Sequence, residues 1–182
     1  MIHPQRKFVG VFGANDPEAG REACETARAV GRQIARLGYG VVNGGYGGTM
    51  EASARGAREA GGPTIGVICT TWHSQPNPYV DQVIRTESLR DRLARLVELA
   101  TGGYVVLPGA TGTLLELAWV WEYTCKRILD RRPLVCLGRF WEPLLAMMSS
   151  RRASSGEVIA AVEHPDELAR YFPAAGAGFV PS

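Results

Sequence analysis

The chain is nearly without lysine, and this shortage excludes one class of enzyme. Of the 20 basic residues among 182, only Lys7 and Lys126 are lysines. Enzymes that form a Schiff base need a lysine beside the reacting carbonyl. Lys7 opens a predicted strand and Lys126 falls late in a predicted helix, so neither lies in a loop that follows a strand. A pyridoxal-phosphate-dependent decarboxylase is therefore a poor interpretation.

Cysteine and histidine are also scarce. The four cysteines are widely spaced without any C-x-x-C pair, and there are only three histidines. Neither a zinc cluster nor a disulfide framework is indicated. No cluster of carboxylates supplies ligands for a hard cation, so we expect no metal and no cofactor. The thiols are predicted to be free, in a reducing cytoplasm.

Long apolar and long basic runs are missing as well. No stretch approaches the roughly 18 apolar residues that span a membrane, and residues 1–8 carry no apolar signal segment. The net charge is +2 and the basic runs are no longer than two residues, which argues against a nucleic-acid partner. With 46% hydrophobic residues, the sequence predicts one cytoplasmic globular domain over residues 1–172 and a flexible tail over 173–182.

What is present is a regular alternation of short apolar runs and longer helical patterns. Strands are predicted over 8–12, 39–42, 64–68, 82–85, 104–107 and 133–137, and helices over 20–37, 49–60, 89–100, 113–129 and 141–148. This rhythm is typical of an α/β protein with a doubly wound, mostly parallel sheet of six to seven strands and helices on both faces, a Rossmann-like three-layer sandwich. Ligands of such sheets bind beyond the carboxyl ends of the strands.

Two loops that follow predicted strands are rich in small residues. The first, residues 13–17, includes Gly13 and Asn15, and it is either a ligand loop or an ordinary turn. The second contains the nucleotide-binding candidates Gly44, Gly45, Gly47, Gly48 and Thr49. Bare glycines let a ligand reach backbone N–H groups, and the next helix offers its positive end. The spacing matches neither G-x-G-x-x-G nor a P-loop. Ligand binding is favoured there over tight strand–helix packing.

A third loop carries hydroxyls and a carboxylate at a helix start. Its members Gly109, Ala110, Thr111, Gly112 and Thr113 form a candidate phosphate-binding nest. The carboxylate of Glu116 has two interpretations of equal weight. It is a catalytic group, or it forms a capping box with Thr113.

The helix that precedes this loop carries three arginines. Arg92 lies at the edge of the stripe formed by Leu89, Leu93, Leu96 and Ala100, where partial burial is possible, whereas Arg90 and Arg95 are more easily solvated. A charge on a helix is usually only solvent-facing, and that interpretation stays open for Arg92.

Together these segments resemble a known family. The run Gly-Gly-Tyr-Gly-Gly-Thr-Met-Glu (44–51), the arginine helix (89–96) and Pro-Gly-Ala-Thr-Gly-Thr-x-x-Glu (108–116) follow one another in this order. They look like the LONELY GUY (LOG) family, whose hallmark is PGGxGTxxE and whose members are often mislabelled as lysine decarboxylases. The first run is closer to the molybdenum-cofactor-carrier-like branch. Ala110 stands where the hallmark has its second glycine.

The resemblance implies a Rossmann-like fold, a homodimer and a nucleoside 5′-monophosphate such as AMP as the partner. It also implies hydrolysis of the N-glycosidic bond, with Arg92 and Glu116 as the catalytic pair and the third loop holding the phosphate. The alternative is a carrier that binds a nucleotide or a phosphorylated pterin without turnover.

Trp119 and Tyr123 lie on a second face of the long helix. They indicate either association with a second copy of the chain or burial of this face within the monomer.

Overall fold

A single seven-stranded parallel sheet organises the chain. The computed structural model describes residues 6–15, 20–72, 74–129 and 132–174. The strands are β1 (Phe8–Phe12), β2 (Gly40–Asn43), β3 (Thr64–Cys69), β4 (Gln82–Thr86), β5 (Gly103–Val106), β6 (Leu134–Leu137) and β7 (Ala160–Val162). They pair in the order β4-β3-β2-β1-β5-β6-β7, and every pair is parallel. The predicted fold class is confirmed.

Helices cover both faces of this sheet. They are α1 (Gly20–Arg36), α2 (Thr49–Glu59), α3 (Leu89–Leu99), α4 (Thr111–Cys125), α5 (Glu142–Arg151), the single turn α6 (Ala153–Gly156) and a 3-10 helix (Pro165–Arg170). One core cluster joins the sheet to α1, α2 and the 3-10 helix. A second cluster joins the opposite face to α3, α4 and α5. Successive side chains of a strand point to opposite faces of the sheet, so they enter these two clusters alternately.

The strand order creates a switch point at β1. The chain runs outward from β1 through β2, β3 and β4, then returns to β5 on the other side of β1 and continues to β6 and β7. The loops after β1 and β5 therefore leave the sheet side by side and their helices diverge. This is where open α/β sheets form their ligand crevice.

Several predicted boundaries were wrong in a consequential way. Helix α4 begins at Thr111, two residues before the predicted start, and ends at Cys125 rather than at residue 129. Arg127 has φ 57°, a left-handed conformation that ends the helix, and it leaves Ile128 61% exposed. Leu89 was predicted in the core stripe of α3, but it is 45% exposed at the first helical position. The short elements α6, β7 and the 3-10 helix were missed.

The chain ends of the predicted domain are described only in part. The hydroxyl of Tyr39 donates a hydrogen bond to the carbonyl of Pro173 at 2.8 Å, so the chain packs against the domain up to that residue. Residues 175–182 of the predicted tail, and residues 16–17 of the first loop, lie outside the described residues. Within the ranges given above, no helix combines the length and apolar character needed to cross a membrane.

Candidate functional site

A cavity of about 640 Å³ opens beyond the carboxyl ends of the central strands. Its volume is within the range of small-molecule sites. Nine of the predicted site residues line it: Gly13, Asn15, Thr49, Arg92, Gly109, Ala110, Gly112, Thr113 and Glu116. Five do not, namely Gly44, Gly45, Gly47, Gly48 and Thr111. The loops after β1 and β5 thus meet at one cavity, whereas the four glycines of the loop after β2 do not line it.

The rim at the start of α4 is suited to an anion. Ala110 is the N-cap and makes no side-chain capping hydrogen bond. The first N–H groups of a helix have no partner inside it, and they lie at the positive end of its dipole. Ala110 has φ −96° and ψ −156°, extended backbone that alanine adopts as readily as glycine. Gly109 packs directly on the side chain of Thr113, and a Cβ there would overlap it.

The early start of α4 excludes one of the two interpretations of Glu116. A capping box requires Thr113 at the N-cap, whereas Thr113 is the third residue inside the helix. The capping interpretation is therefore wrong. Glu116 lies in the second turn, only 9% exposed, with its carboxylate at the cavity wall.

Arg92 reaches the same wall from α3. The hydroxyl of Ser88 accepts a hydrogen bond from the N–H of Asp91 at 3.1 Å, which caps α3 and fixes its first turn. The Arg92 side chain is buried, and its Nε donates to the carbonyl of Val67 at 2.9 Å. Its Nη1 lies 3.8 Å from Oε1 of Glu116. The structure therefore brings together the two side chains that the resemblance pairs.

The other two arginines of α3 point elsewhere. Arg95 forms an exposed ion pair with Glu98 at 3.0 Å, and Arg90 forms one with Asp91 at 3.3 Å. Both interactions are on the solvent side of the helix. Of the three arginines, Arg92 is the one that borders the cavity.

The glycine-rich loop after β2 makes room for Arg92. A Cβ on Gly44 would overlap the Arg92 guanidinium and the sulfur of Met50. Gly45 has φ 74°, a conformation that favours glycine, and its N–H donates to Oδ1 of Asn43 at 2.9 Å. The loop thus acts as a packed wall, which is the alternative that the sequence pattern had left open.

The remaining members of that loop are also engaged. The N–H and the hydroxyl of Thr49 both donate to the carbonyl of Ala14, at 3.1 and 3.0 Å, and so tie the start of α2 to the loop after β1. Gly48 is the N-cap of α2 and borders a separate, smaller groove between α1 and α2. Of this loop's predicted residues only Thr49 faces the cavity.

Burial dominates the electrostatics of Glu116. Loss of solvent raises the pKa of its carboxyl to about 7, and the Arg92 guanidinium acts in the opposite direction with a smaller effect. Among the described residues, no side chain donates a hydrogen bond to this carboxylate. A carboxyl group that titrates near neutrality can exchange a proton with a ligand in the cavity.

Glu116→Gln is expected to stabilise the protein above neutral pH. The folded state holds the Glu116 proton more tightly than the unfolded state, whose pKa is near 4.5, so stability falls as pH rises from about 4.5 to 7. Glutamine cannot ionise, and the variant avoids a loss of up to about 3 kcal/mol at pH 8. Chemical denaturation at pH 4 and pH 8 measures this.

Glu122→Gln is the matched control on the same helix. Hydrogen bonding from Arg152 lowers the pKa of Glu122, so its replacement removes a stabilising charge at pH 8. The two variants should differ in sign at pH 8. At pH 4 Glu116→Gln should match the wild type, whereas the deficit of Glu122→Gln disappears only below the lowered pKa of Glu122. A Glu116→Gln variant that is less stable than the wild type at pH 8 contradicts the assignment of a raised pKa.

An aromatic wall that the sequence analysis missed completes the cavity. The guanidinium carbon of Arg92 lies 5.4 Å from the ring centroids of both Tyr46 and Trp72, close enough for cation–π contacts. The two rings are 5.8 Å apart. Phe140, after β6, lies on the cavity lining as well. Of these three aromatic residues, only Tyr46 could have been predicted from the sequence as a site residue, because it lies between the glycines of a loop that follows a strand.

The described residues contain no group of three or more histidine, cysteine, aspartate or glutamate side chains placed to share a metal ion. The polar groups at the cavity are instead backbone N–H groups, hydroxyls, the amide of Asn15, the indole of Trp72, one guanidinium and one carboxylate.

A model of the SLOG cluster4 family matches residues 6–168. The chain belongs to this family. Among proteins of similar sequence, a cytokinin riboside 5′-monophosphate phosphoribohydrolase of Mycobacterium marinum is 36% identical over 121 residues, 65% of this chain and 64% of that protein. The match therefore covers less than two thirds of the mycobacterial protein. A protein of the same description from Rhodococcoides fascians is 30% identical over 154 residues, 80% of this chain and 76% of that one.

The fold of this SLOG cluster4 protein is also found in a solved carrier. The molybdenum cofactor carrier protein of Chlamydomonas reinhardtii superposes with a TM-score of 0.69 and 26% sequence identity, over 88% of this chain and 92% of that one. The predicted resemblance to the LOG family and to its carrier-like relatives is confirmed.

Proposed function

We propose that this protein hydrolyses the N-glycosidic bond of a nucleoside 5′-monophosphate and releases a free base and ribose 5-phosphate. One observation carries the proposal: a buried arginine–carboxylate pair, Arg92 and Glu116, faces a cavity whose rim is the uncapped start of α4. The phosphoribohydrolase names of the M. marinum and R. fascians relatives support the same reaction class.

The anion-binding rim would hold the 5′-phosphate. The N–H groups at the start of α4 and the hydroxyl of Thr113 would donate to its oxygens, and Gly112, where a Cβ would meet nothing within 4 Å, leaves the backbone open to the ligand. A phosphate bound at this rim would hold the ribose beside Arg92 and Glu116. Such positioning converts a bimolecular attack by water into a reaction within one complex.

Glu116 would act on water and on the sugar. As the C1′–N bond breaks, its electron pair goes to the base nitrogen and positive charge develops on the ribose. The carboxylate stabilises this charge and accepts a proton from the attacking water, whose oxygen forms the new bond to C1′. The proton balance closes when Glu116 gives up the proton taken from water and the departing base nitrogen gains one, directly or through solvent. Arg92 holds the carboxylate in place and opposes its neutralisation.

A panel of nucleoside monophosphates tests the proposal. Incubation with AMP, GMP, CMP and UMP, followed by chromatography, is expected to yield free base and an equal amount of ribose 5-phosphate from at least one of them. The matching nucleosides without phosphate should be poor substrates because the rim at α4 then binds nothing. If no monophosphate releases base, the hydrolase proposal is wrong.

The second candidate is a carrier that binds a phosphorylated pterin without turnover. It is favoured by the likeness to the C. reinhardtii molybdenum cofactor carrier over nine-tenths of the chain. Saturable binding of a pterin phosphate, without base release from any monophosphate, would support the carrier instead.

We also propose a homodimer that uses the outer side of α4. Leu114 and Leu115 are 38% and 43% exposed there, and the half-buried rings of Trp119 and Tyr123 lie 5.4 Å apart. Aromatic anchors and exposed leucines on one helix are typical of interfaces between subunits. Light scattering is expected to give twice the chain mass of 19.7 kDa, and Leu115→Arg is expected to yield monomer. A wild-type protein at the single-chain mass contradicts the dimer.

A further inference from the structure

Trp72 is an exposed aromatic side chain in the loop after β3, and neither the fold nor the phosphate site explains it. Its indole is 42% exposed and lies on the cavity lining. The indoles of Trp121 and Trp141 donate to backbone carbonyls at 2.8 and 3.0 Å, whereas no acceptor for Trp72 is found among the described residues. Burial and backbone hydrogen bonding therefore account for those two rings, whereas Trp72 packs beside Tyr46 and Arg92 and keeps much of its indole exposed.

Tyr46 holds a rigid surface beside Trp72. The hydroxyl of Tyr46 accepts a hydrogen bond from the N–H of Cys69 at 2.8 Å, and its carbonyl accepts one from Nδ2 of Asn77 at 2.9 Å. The ring is only 4% exposed and meets the Trp72 ring at an angle of 54°. The indole thus packs beside Tyr46 and the Arg92 guanidinium, and 42% of the residue's surface stays exposed at the cavity.

The position of this surface matches the length of a nucleotide. The loops after β3 and β5 are separated by three strand spacings, since β2 and β1 lie between them. At the usual spacing this is about 14 Å. A ligand whose phosphate lies at the start of α4 therefore directs its other end toward Trp72, and its sugar passes the Arg92–Glu116 pair on the way.

We infer that Trp72 is the residue that recognises the base: its exposed indole stacks on the planar heterocycle of the ligand. This inference rests on the proposed function, because it takes the phosphate to lie at α4. Stacking is tolerant of ring identity, so the residue selects for a flat purine- or pterin-like ring over a bare sugar phosphate.

Affinities for AMP and for ribose 5-phosphate, measured by calorimetry in a Glu116→Gln background that prevents turnover, test the inference. Trp72→Ala is expected to weaken AMP binding by about 5- to 150-fold and to leave ribose 5-phosphate binding within twofold. Trp72→Phe is expected to restore most of the AMP affinity, since phenylalanine keeps a ring face. Tyr79→Ala removes a half-buried ring from the same segment between β3 and β4, outside the cavity lining, and should leave both affinities unchanged.

The ratio of AMP affinity to ribose 5-phosphate affinity also distinguishes recognition of the base by Trp72 from a purely structural role of that residue. If Trp72 only positioned Arg92, its removal would weaken both ligands alike, and that result overturns the inference. A wild-type-like AMP affinity in Trp72→Ala overturns it too, as does a parent protein that binds AMP no better than ribose 5-phosphate. Failure of the wild type to release base overturns the hydrolase proposal alone, because the ratio is measured without turnover.

Discussion

Replacing Glu116 with glutamine is expected to lower base release from AMP by about 10²- to 10⁴-fold, the usual contribution of one general base. Glutamine keeps the size and the buried position of the side chain but can neither accept a proton from water nor stabilise positive charge on the ribose. AMP should still bind, since the rim at α4 that we propose to hold the phosphate is untouched. Release of free base under single-turnover conditions and AMP affinity by calorimetry measure the two effects separately.

Glu122→Gln again provides the control. Glu122 lies on the same helix, half exposed and paired with Arg152 at 2.8 Å, and its loss should leave base release unchanged. A Glu116→Gln variant with more than a tenth of wild-type activity contradicts the role assigned to this carboxylate. An equal loss in both variants would instead point to damage along α4.

The raised pKa of Glu116 adds a pH dependence to the same experiment. The reactive form is the carboxylate, so base release by the wild type should increase as pH rises toward about 7 and level off above it. The residual activity of Glu116→Gln should lack this step. The stability of the wild type moves the other way over the same pH range, which is the relation expected where a site is built at some expense of stability.

The layered fold was predictable because its signals are local. Strands β1, β2, β3, β5 and β6 are short apolar runs, and the long helices carry periodic apolar stripes. Burial on one or two faces can therefore be predicted from neighbouring residues. The sequence did not reveal β7 (Ala160–Val162), because three residues with one buried side chain carry no recognisable period. β7 pairs with β6 at the edge of the sheet, a contact between segments that are distant in the sequence.

The site was predictable only as far as strand ends indicate it. Glycines at residues 44 and 109 look alike in the sequence, yet Gly109 lines the cavity and Gly44 accommodates Arg92 behind it. Absence of a Cβ serves a ligand or a neighbouring side chain equally well. The exclusion of a capping role for Glu116 depended on a two-residue difference in where α4 begins. Trp72 stands alone in an irregular loop, where only tertiary packing sets its surroundings.

The packing of Gly44 leads to a second large expected effect. Gly44→Ala should lower base release from AMP by about 100-fold without changing any side chain that touches the ligand. The new Cβ occupies the place of the Arg92 guanidinium, which must move. Misplacement of a positioning group by about 1 Å is enough for a loss of this size. The clashing atoms are the mobile ends of Arg92 and Met50, so the fold should survive, and far-UV circular dichroism checks this.

Gly47→Ala is the matched control in the same loop. A Cβ on Gly47 would meet only Oδ1 of Asn15, at an ordinary contact distance of 3.7 Å, so activity should remain near that of the wild type. The double variant Gly44→Ala/Met50→Ala separates the two clashes. If activity returns when Met50 is shortened, the displaced group was the thioether and the argument from Arg92 is wrong. If activity stays low, the bare backbone at residue 44 is what lets the guanidinium face Glu116.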